Sequence, residues 1–391
     1  SSGVLEPRHA VSPIRLMFDK ARFVDAVVER IDFDARKVFA RHSPDNYLYE
    51  LDYDNLVLAL GGVTNRGLIP GSEHAAGFKT LADAIYLRNR IIDRCEQADV
   101  EENPKRRQEL LTFVIVGGGL VGVELMGELT EFVWNLLESY PRIPREYVRF
   151  FLIEGHPRIL PEMEEDLAAY AARTLRKRGV KLLTNTRVQG LEPCRVILPA
   201  GSAAIEAETI ILAAGVGPNP LLETFPLEKS RKGRIVVSPT MRCGERPEVW
   251  ALGDCAEIPD PRGHPYPQLA QHALREAKTL ARNIAAVVRR PEEKPTLKAF
   301  DYQMMGMLAS LGYFDGVGRI GTIHIRGFFA WWIWRTYYVF QMPRWARRIR
   351  VILDWTVALL FKNDIVKLDV FSDEDARQRS KAVPRPVQRV E

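Results

Sequence analysis

The chain has 391 residues, 46% hydrophobic and 27% charged, which is enough for two domains with sizeable cores. Its formal net charge of +5 is unevenly placed: residues 317–367 carry nine Lys/Arg against two Asp, and the remainder is net negative. So local an excess points to an anionic surface near the C-terminus and excludes nucleic acid as a partner along the whole chain. The four cysteines form no C-x-x-C pair and no zinc spacing, so they read as reduced structural thiols of a cytoplasmic protein, with no metal site. No signal peptide is visible, and the sequence opens mid-phrase with SSGVLEPRHA, without an initiating Met.

Residues 1–60 read as β-rich. FVDAVVERIDFDARKVFA alternates, and NLVLALGG is a short apolar run, a buried parallel strand that reaches a tight turn at Gly61. Residues 61–79 hold the Gly/Pro punctuation of a connection. Residues 80–98 have helical spacing at Leu81, Ile85, Ile91, Ile92 and Cys95, and EENPKRRQE follows as a charged linker. A βαβ unit begins at 111, with LTFVIV as strand, GGGLVG as turn, VELMGELTEFVWNLLES as helix and VRFFLIE as strand. A helix at about 164–178 and short strands come next. IILAAGVGPNP and VWALGDCAEI repeat the strand-then-turn grammar, residues 268–288 form a helix, and residues 300–325 form short strands. Strand–helix alternation with long apolar strands predicts an α/β fold with parallel sheets. Two strand-to-Gly endings, LALGG and LAAGVG, hint at two related nucleotide-binding lobes.

The strongest motif is VIVGGGLVGVE, which places Gly117, Gly119 and Gly122 in G-x-G-x-x-G spacing between a strand and a helix. The first glycine permits the turn, the second lets a pyrophosphate approach, and the third lets helix and strand pack. The helix N-terminus then offers N–H groups and partial positive charge to the phosphates. Glu154 ends the second strand. It suits the adenosine ribose hydroxyls and favours NADH, although it lies beyond the usual ~20 residues. Arg158 is close by and leaves some NADPH use open. Glu124 reads either as a first-turn acid answering the helix dipole or as an acid at the nicotinamide end. In VWALGDC, Gly253 and Asp254 read either as a holder of flavin ribityl and phosphate groups or as an N-cap.

The closing segment, GFFAWWIWRTYYVFQMPRWARRIR, holds four of the seven tryptophans and four arginines after Pro343. No spanning helix fits: the longest candidate, residues 327–343, has Arg335 in its middle. The segment reads either as a core or dimer helix or as a monotopic docking element. In the second case Trp345, Ile349, Ile352, Leu359 and Leu360 share one face, with Arg347 and Arg350 at its edge.

VIVGGGLVGVELMGEL, IEGHPRILP, LAAGV, ALGDCAEI and AQHALREAK, in this order, resemble the two-dinucleotide-binding-domain flavoprotein reductases. The C-terminal run, with LEPRHAVSPIR near the start, resembles the type II NADH dehydrogenases, NADH:quinone oxidoreductases that pump no protons. The resemblance covers about residues 3–370. It implies two Rossmann-like dinucleotide-binding domains plus a C-terminal amphipathic membrane-docking segment. The expected domains are the remainder of a FAD-binding domain (1–79), an NADH-binding domain (80–222), the returning FAD part (223–300), the docking region (301–372) and a flexible tail (373–391). The family's first G-x-G-x-x-G is expected upstream of SSGVLEPRHA, so the chain reads as N-terminally truncated.

The resemblance assigns Gly117, Gly119, Gly122 and Glu154 to NADH, Glu124 to the acid near the nicotinamide, and Gly215 and Val216 to the turn flanking it. It assigns Gly61, Gly253 and Asp254 to FAD. It places Ala270, Gln271 and His272 under the flavin ring, with Gln271 at the quinone pocket. Arg275 stands where many members have a second glutamine. Hydride from NADH to FAD, then two electrons to a membrane quinone, is the implied reaction, with Glu124 and His272 as candidates to relay charge. A homodimer on the cytoplasmic face, docked on anionic lipid through 327–361, is the implied setting. The alternatives are a sulfide:quinone reductase or other disulfide-type reductase, and an NADH-binding fragment without flavin.

Overall fold

The structure is a computed structural model that describes residues 7–18, 20–43, 45–289, 295–360, 366–367 and 388–389. The expected tail, 373–391, lies almost wholly outside the described residues. The chain forms two units, each assembled from separated segments. The first takes Ser1–Pro13, Thr64–Gly215 and Met304–Val370, and the second takes Ile14–Val63, Val216–Gln303 and Phe371–Glu391.

The first unit is built on a five-stranded parallel sheet. In space its strands run Ala76–Gly77, Thr209–Leu212, Thr112–Val116, Arg149–Ile153, Val180–Leu183. The order reverses between Thr209–Leu212 and Thr112–Val116, the kind of switch point at which open α/β sheets bind ligands. Every residue of Thr112–Val116 is buried. Successive side chains go to opposite faces: Phe113 and Ile115 join the core under the helices, whereas Val114 and Val116 join the core on the other side. Phe150/Leu152 and Phe151/Ile153 divide in the same way.

Helices Leu81–Val100, Leu120–Leu137 and Glu165–Lys177 flank the sheet. The first is stopped at its N-terminus by a capping box: Thr80 Oγ1 accepts from Asp83 N at 3.1 Å, and Asp83 Oδ2 accepts from Thr80 N at 2.7 Å. The stretch expected as a charged linker is instead a short helix, Pro104–Leu110. Asn103 caps it by accepting from Lys105 N and Arg106 N, and Pro104 occupies its first turn, where no N–H is needed. An antiparallel sheet, Gly306–Ser310, Gly316–Ile320 and Ile323–Arg326, precedes helices Gly327–Gln341 and Trp345–Leu360. No helix among the described residues is long and apolar enough to cross a membrane.

In the second unit, Leu56–Leu58 runs parallel to Arg246–Ala251, which pairs antiparallel with Arg242–Cys243. An antiparallel meander, Val27–Asp32, Lys37–His42 and Tyr47–Asp52, accounts for the alternation read near the start. Helix Ala270–Arg289 packs Leu280 into a core with Trp250, Leu58 and Phe300.

Candidate nucleotide and electron-transfer sites

In the first unit the strand Thr112–Val116 delivers the chain to the glycine turn. Gly117 has φ +113°, and a Cβ there would lie 2.5 Å from the Ala213 carbonyl oxygen, so handedness and space both require glycine. A Cβ on Gly122 would lie 1.8 Å from the Gly117 carbonyl oxygen, so the helix start presses directly on the turn. Gly119 is the helix N-cap. It gives no side-chain cap, and no acid lies in the first turn. The N–H groups of that turn are therefore offered to an anion. Around Gly119 the nearest atom to an added Cβ is Glu162 Oε1, at 3.2 Å, which is the mobile end of an exposed side chain rather than backbone.

Glu154 is buried and tied to the same turn. Its Oε2 accepts from Gly118 N at 2.6 Å, and its Oε1 accepts from His156 N at 2.8 Å, with the His156 ring Nδ1 at 2.7 Å. Burial pushes its pKa up, but the bonds from His156 and Gly118 outweigh burial and hold it below the ordinary carboxylate value. A carboxylate offers about four lone-pair sites. Three are taken by Gly118 N, His156 N and the exposed His156 ring, which leaves one acceptor site open. Arg158 is spent elsewhere: its Nη atoms donate to the carbonyls of Leu160, Met163 and Pro161. It is thus bound into the turn it belongs to. Gly215 has φ +94° with open space where a Cβ would stand, and its carbonyl accepts from Asn65 N.

Glu124 lies beyond the first turn of Leu120–Leu137, so the helix dipole does not account for it. Its Oε1 accepts from Ser310 N at 3.0 Å and from Trp334 Nε1 at 2.9 Å. Burial pushes the carboxyl up to about 7, against the downward pull of these two donors. Gly127 makes the contact possible, since a Cβ there would lie 2.5 Å from the Leu311 carbonyl carbon. The isolated glycine in VELMGEL was the available signal for this close approach.

In the second unit, Gly61 has φ +61° and faces open space. Its neighbour Gly62, not singled out by the motifs, is the tighter position: a Cβ would lie 2.2 Å from Val216 Cγ1 and 3.5 Å from Asp254 Cβ. Gly62, Val216 and Asp254 are thereby brought together. Asp254 is not an N-cap. It sits inside the tight turn Gly253–Cys255, whose N-cap is Leu252, and the chain continues into the short strand Ala256–Glu257 rather than into a helix. Gly253 has φ +71°, and its N–H donates to Glu276 Oε2 at 2.8 Å. Burial raises the Glu276 carboxyl above its ordinary pKa, against the Gly253 bond. The Asp254 carbonyl accepts from Gln268 Nε2 at 2.8 Å.

Ala270 opens the next helix and is exposed. Gln271 Oε1 accepts from Tyr302 Oη at 3.4 Å. Arg275 donates to the Gln271 carbonyl at 2.8 Å and stacks over the Tyr302 ring at 4.3 Å. His272 points inward between the rings of Tyr266 and Tyr302, with centroids at 5.5 and 5.2 Å. Burial and then Arg275 lower its pKa, so it stays neutral, and its Nδ1 is buried without a partner. Gln271 and His272 are adjacent in sequence but differ in setting, one half-buried and one enclosed.

All four cysteines are free, and burial raises each thiol, Cys95 and Cys243 to about 12. None is poised as a thiolate for disulfide or sulfide chemistry. Among the described residues no group of three or more His, Cys, Asp or Glu could hold a metal ion.

The pyridine nucleotide-disulphide oxidoreductase family model matches residues 12–277. A probable NADH dehydrogenase of Dictyostelium discoideum is 30% identical over 93% of this chain and 80% of that protein. The type II NADH:quinone oxidoreductase Ndh of Mycobacterium tuberculosis is 30% identical over 92% of this chain and 79% of its own length. The solved structure of NDH2 from Plasmodium falciparum in complex with NADH superposes with a TM-score of 0.85 at 18% identity, covering 94% of this chain and 90% of that one. That match carries the fold, two Rossmann-like dinucleotide-binding domains. These comparisons bear out the resemblance carried by the motifs, and the chain belongs to the type II NADH:quinone oxidoreductases of the pyridine nucleotide-disulphide oxidoreductase family.

Proposed function

We infer that this chain oxidises NADH and reduces a membrane quinone without pumping protons, using FAD. The observation that carries the reading is the glycine turn locked to Glu154: an uncapped helix N-terminus and an ionised ribose acceptor joined by the 2.6 Å bond from Gly118 N. The residues fit both nucleotides. Gly117 and Gly122 leave no room for a Cβ, and Gly61, Gly215 and Gly253 hold left-handed turns suited to close approach.

Bound FAD supplies the two-electron chemistry that no side chain offers. The helix at Leu120 takes the NADH pyrophosphate, and Glu154 takes the ribose hydroxyls. Glu124 exchanges a proton near neutrality beside the nicotinamide. Gly61, Gly253 and Asp254 would hold the flavin's phosphate and ribityl groups, Ala270 would serve its ring, and Gly215 and Val216 would serve the nicotinamide. Gln271 would offer an amide to the quinone, and His272 is the candidate proton exchanger on that helix. Arg275, stacked on Tyr302, lends positive charge to the same place.

The protein docks as a peripheral homodimer on the cytoplasmic face of the membrane, with the aromatic helices on anionic lipid. Support comes from their outward side, where Phe328, Phe329, Trp332, Phe340, Trp345, Ile349 and Ile352 are exposed. That area also suits a second copy of the chain. The test is anaerobic titration of the full-length flavoprotein with NADH, followed by addition of a short-chain quinone. Flavin absorbance should bleach and then recover; no bleaching would sink the reading.

A further inference from the structure

Three elements of the first unit converge on the Glu124 carboxyl: its own helix, the strand Gly306–Ser310 and the helix Gly327–Gln341. Both donors bond the same oxygen, Oε1. A backbone N–H and an indole N–H can only donate, and a carboxyl oxygen has two lone pairs. Oε1 is therefore fully used, and any proton on the group sits on Oε2. We propose that Trp334 is a positioning residue for the reaction: its indole N–H, with Ser310 N, fixes the Glu124 carboxyl so that the exchangeable proton is carried on Oε2, and sets how readily that proton leaves.

The proposal rests on the reading of Glu124 as the acid beside the nicotinamide. The indole is itself held, its ring packed on Tyr338 at 4.9 Å between centroids. The titratable groups acting on Glu124 are Glu128, one turn along its own helix, and Tyr338 on the aromatic helix, whose hydroxyl burial pushes up to about 12. From the strand side the Ser310 N–H reaches it. Glu128 can only repel a charge on Glu124 and Tyr338 stays neutral, so the two donors are what keeps the carboxylate accessible near neutral pH.

The test uses the full-length flavoprotein carrying Trp334→Phe, and in parallel an isosteric benzothiophene side chain at position 334, which preserves shape and removes only the N–H. Two readouts are taken. One is infrared difference titration of the Glu124 carboxyl band, assigned by its loss in Glu124→Gln. The other is the pH profile of kcat for NADH oxidation with a water-soluble quinone. Losing one donor to the charged form should move both midpoints up by about one pH unit, with the KM for NADH unchanged. An unmoved band in the isosteric variant overturns the proposal. A moved band with an unmoved kcat profile overturns its link to turnover. A moved band in a chain with no NADH-dependent turnover sinks the functional reading and leaves the pairing standing.

Discussion

Glu154 is the residue whose placement the sequence displays most openly. An acid at the end of a parallel strand after a glycine turn has few other uses, and its partner Gly118 is part of the same motif. Its third bond, to the His156 ring, is a local detail that spacing does not disclose. Glu154→Gln keeps the shape and removes the charge, turning charge-assisted bonds into ordinary ones. The KM for NADH should rise about tenfold with a smaller change in kcat; an unchanged KM would remove the ribose role. Glu124 supports a second prediction, in stability. Its folded pKa, about 7, lies above the ordinary value of 4.5, so the native state binds its proton more tightly than the unfolded chain does. Its stabilising contribution is complete below the unfolded value and is lost as pH rises toward 7. Glu131 behaves in the same sense, also near 7 through burial. Urea midpoints measured from pH 4.5 to 7.5 should therefore fall less steeply in Glu124→Gln than in the parent protein. Parallel curves would contradict the raised pKa. Neither donor to Glu124 was legible in the sequence, because Ser310 and Trp334 lie 186 and 210 residues away and no motif links them.

At the scale of elements, strand and helix placement followed from periodicity wherever a run was long. The short helix Pro104–Leu110 shows the limit: its charge reads as a linker, while Asn103 and Pro104 carry the start signal of a helix. The aromatic segment forms two helices broken near Pro343, with Arg344 in the left-handed region. Arg335, which interrupts the apolar run, is buried, its guanidinium 4.7 Å from the Trp331 ring and 4.1 Å from that of Trp355. The inner face, Ala330, Trp331, Arg335 and Val339, is thus the structural one. The outer face is free to meet lipid. Trp345, Ile349 and Ile352 are exposed on the second helix, while the side chains of Leu359 and Leu360 lie outside the described residues. Phe329 and Trp332, 70% and 54% exposed, decide the design of the experiment, since charge placed there does not disturb a core. Phe329→Asp with Trp332→Asp should leave Tm within a few degrees and cut sedimentation with liposomes severalfold. Unchanged sedimentation would return this face to a purely protein–protein role.

For the whole molecule, charge and connectivity matter more than any one contact. Of the four arginines in residues 344–350, Arg347 and Arg348 donate to the carbonyls of His9 and Met342, while Arg344 and Arg350 are exposed. Each exposed cation is worth about 1 kcal/mol at an anionic bilayer, within a screening length of about 10 Å at 0.1 M salt. Binding to phosphatidylserine vesicles should weaken severalfold when salt is raised to 0.5 M, with neutral vesicles little affected; salt-independent binding would assign the docking to the apolar face alone. The grouping of Met304–Val370 with Thr64–Gly215 could not be read from the sequence, since contacts across so many residues leave no local pattern. That connectivity bears on the order in which the protein is made. Residue 124 leaves the ribosome some 186 residues before Ser310 and 210 before Trp334. At ordinary synthesis rates, about 5–20 residues per second, the nascent chain carries that acid without either partner for roughly 10–40 s. The glycine turn and Glu154 are complete long before then. A chain stalled before residue 310 would carry the glycine turn and Glu154, with Glu124 still lacking both of its donors.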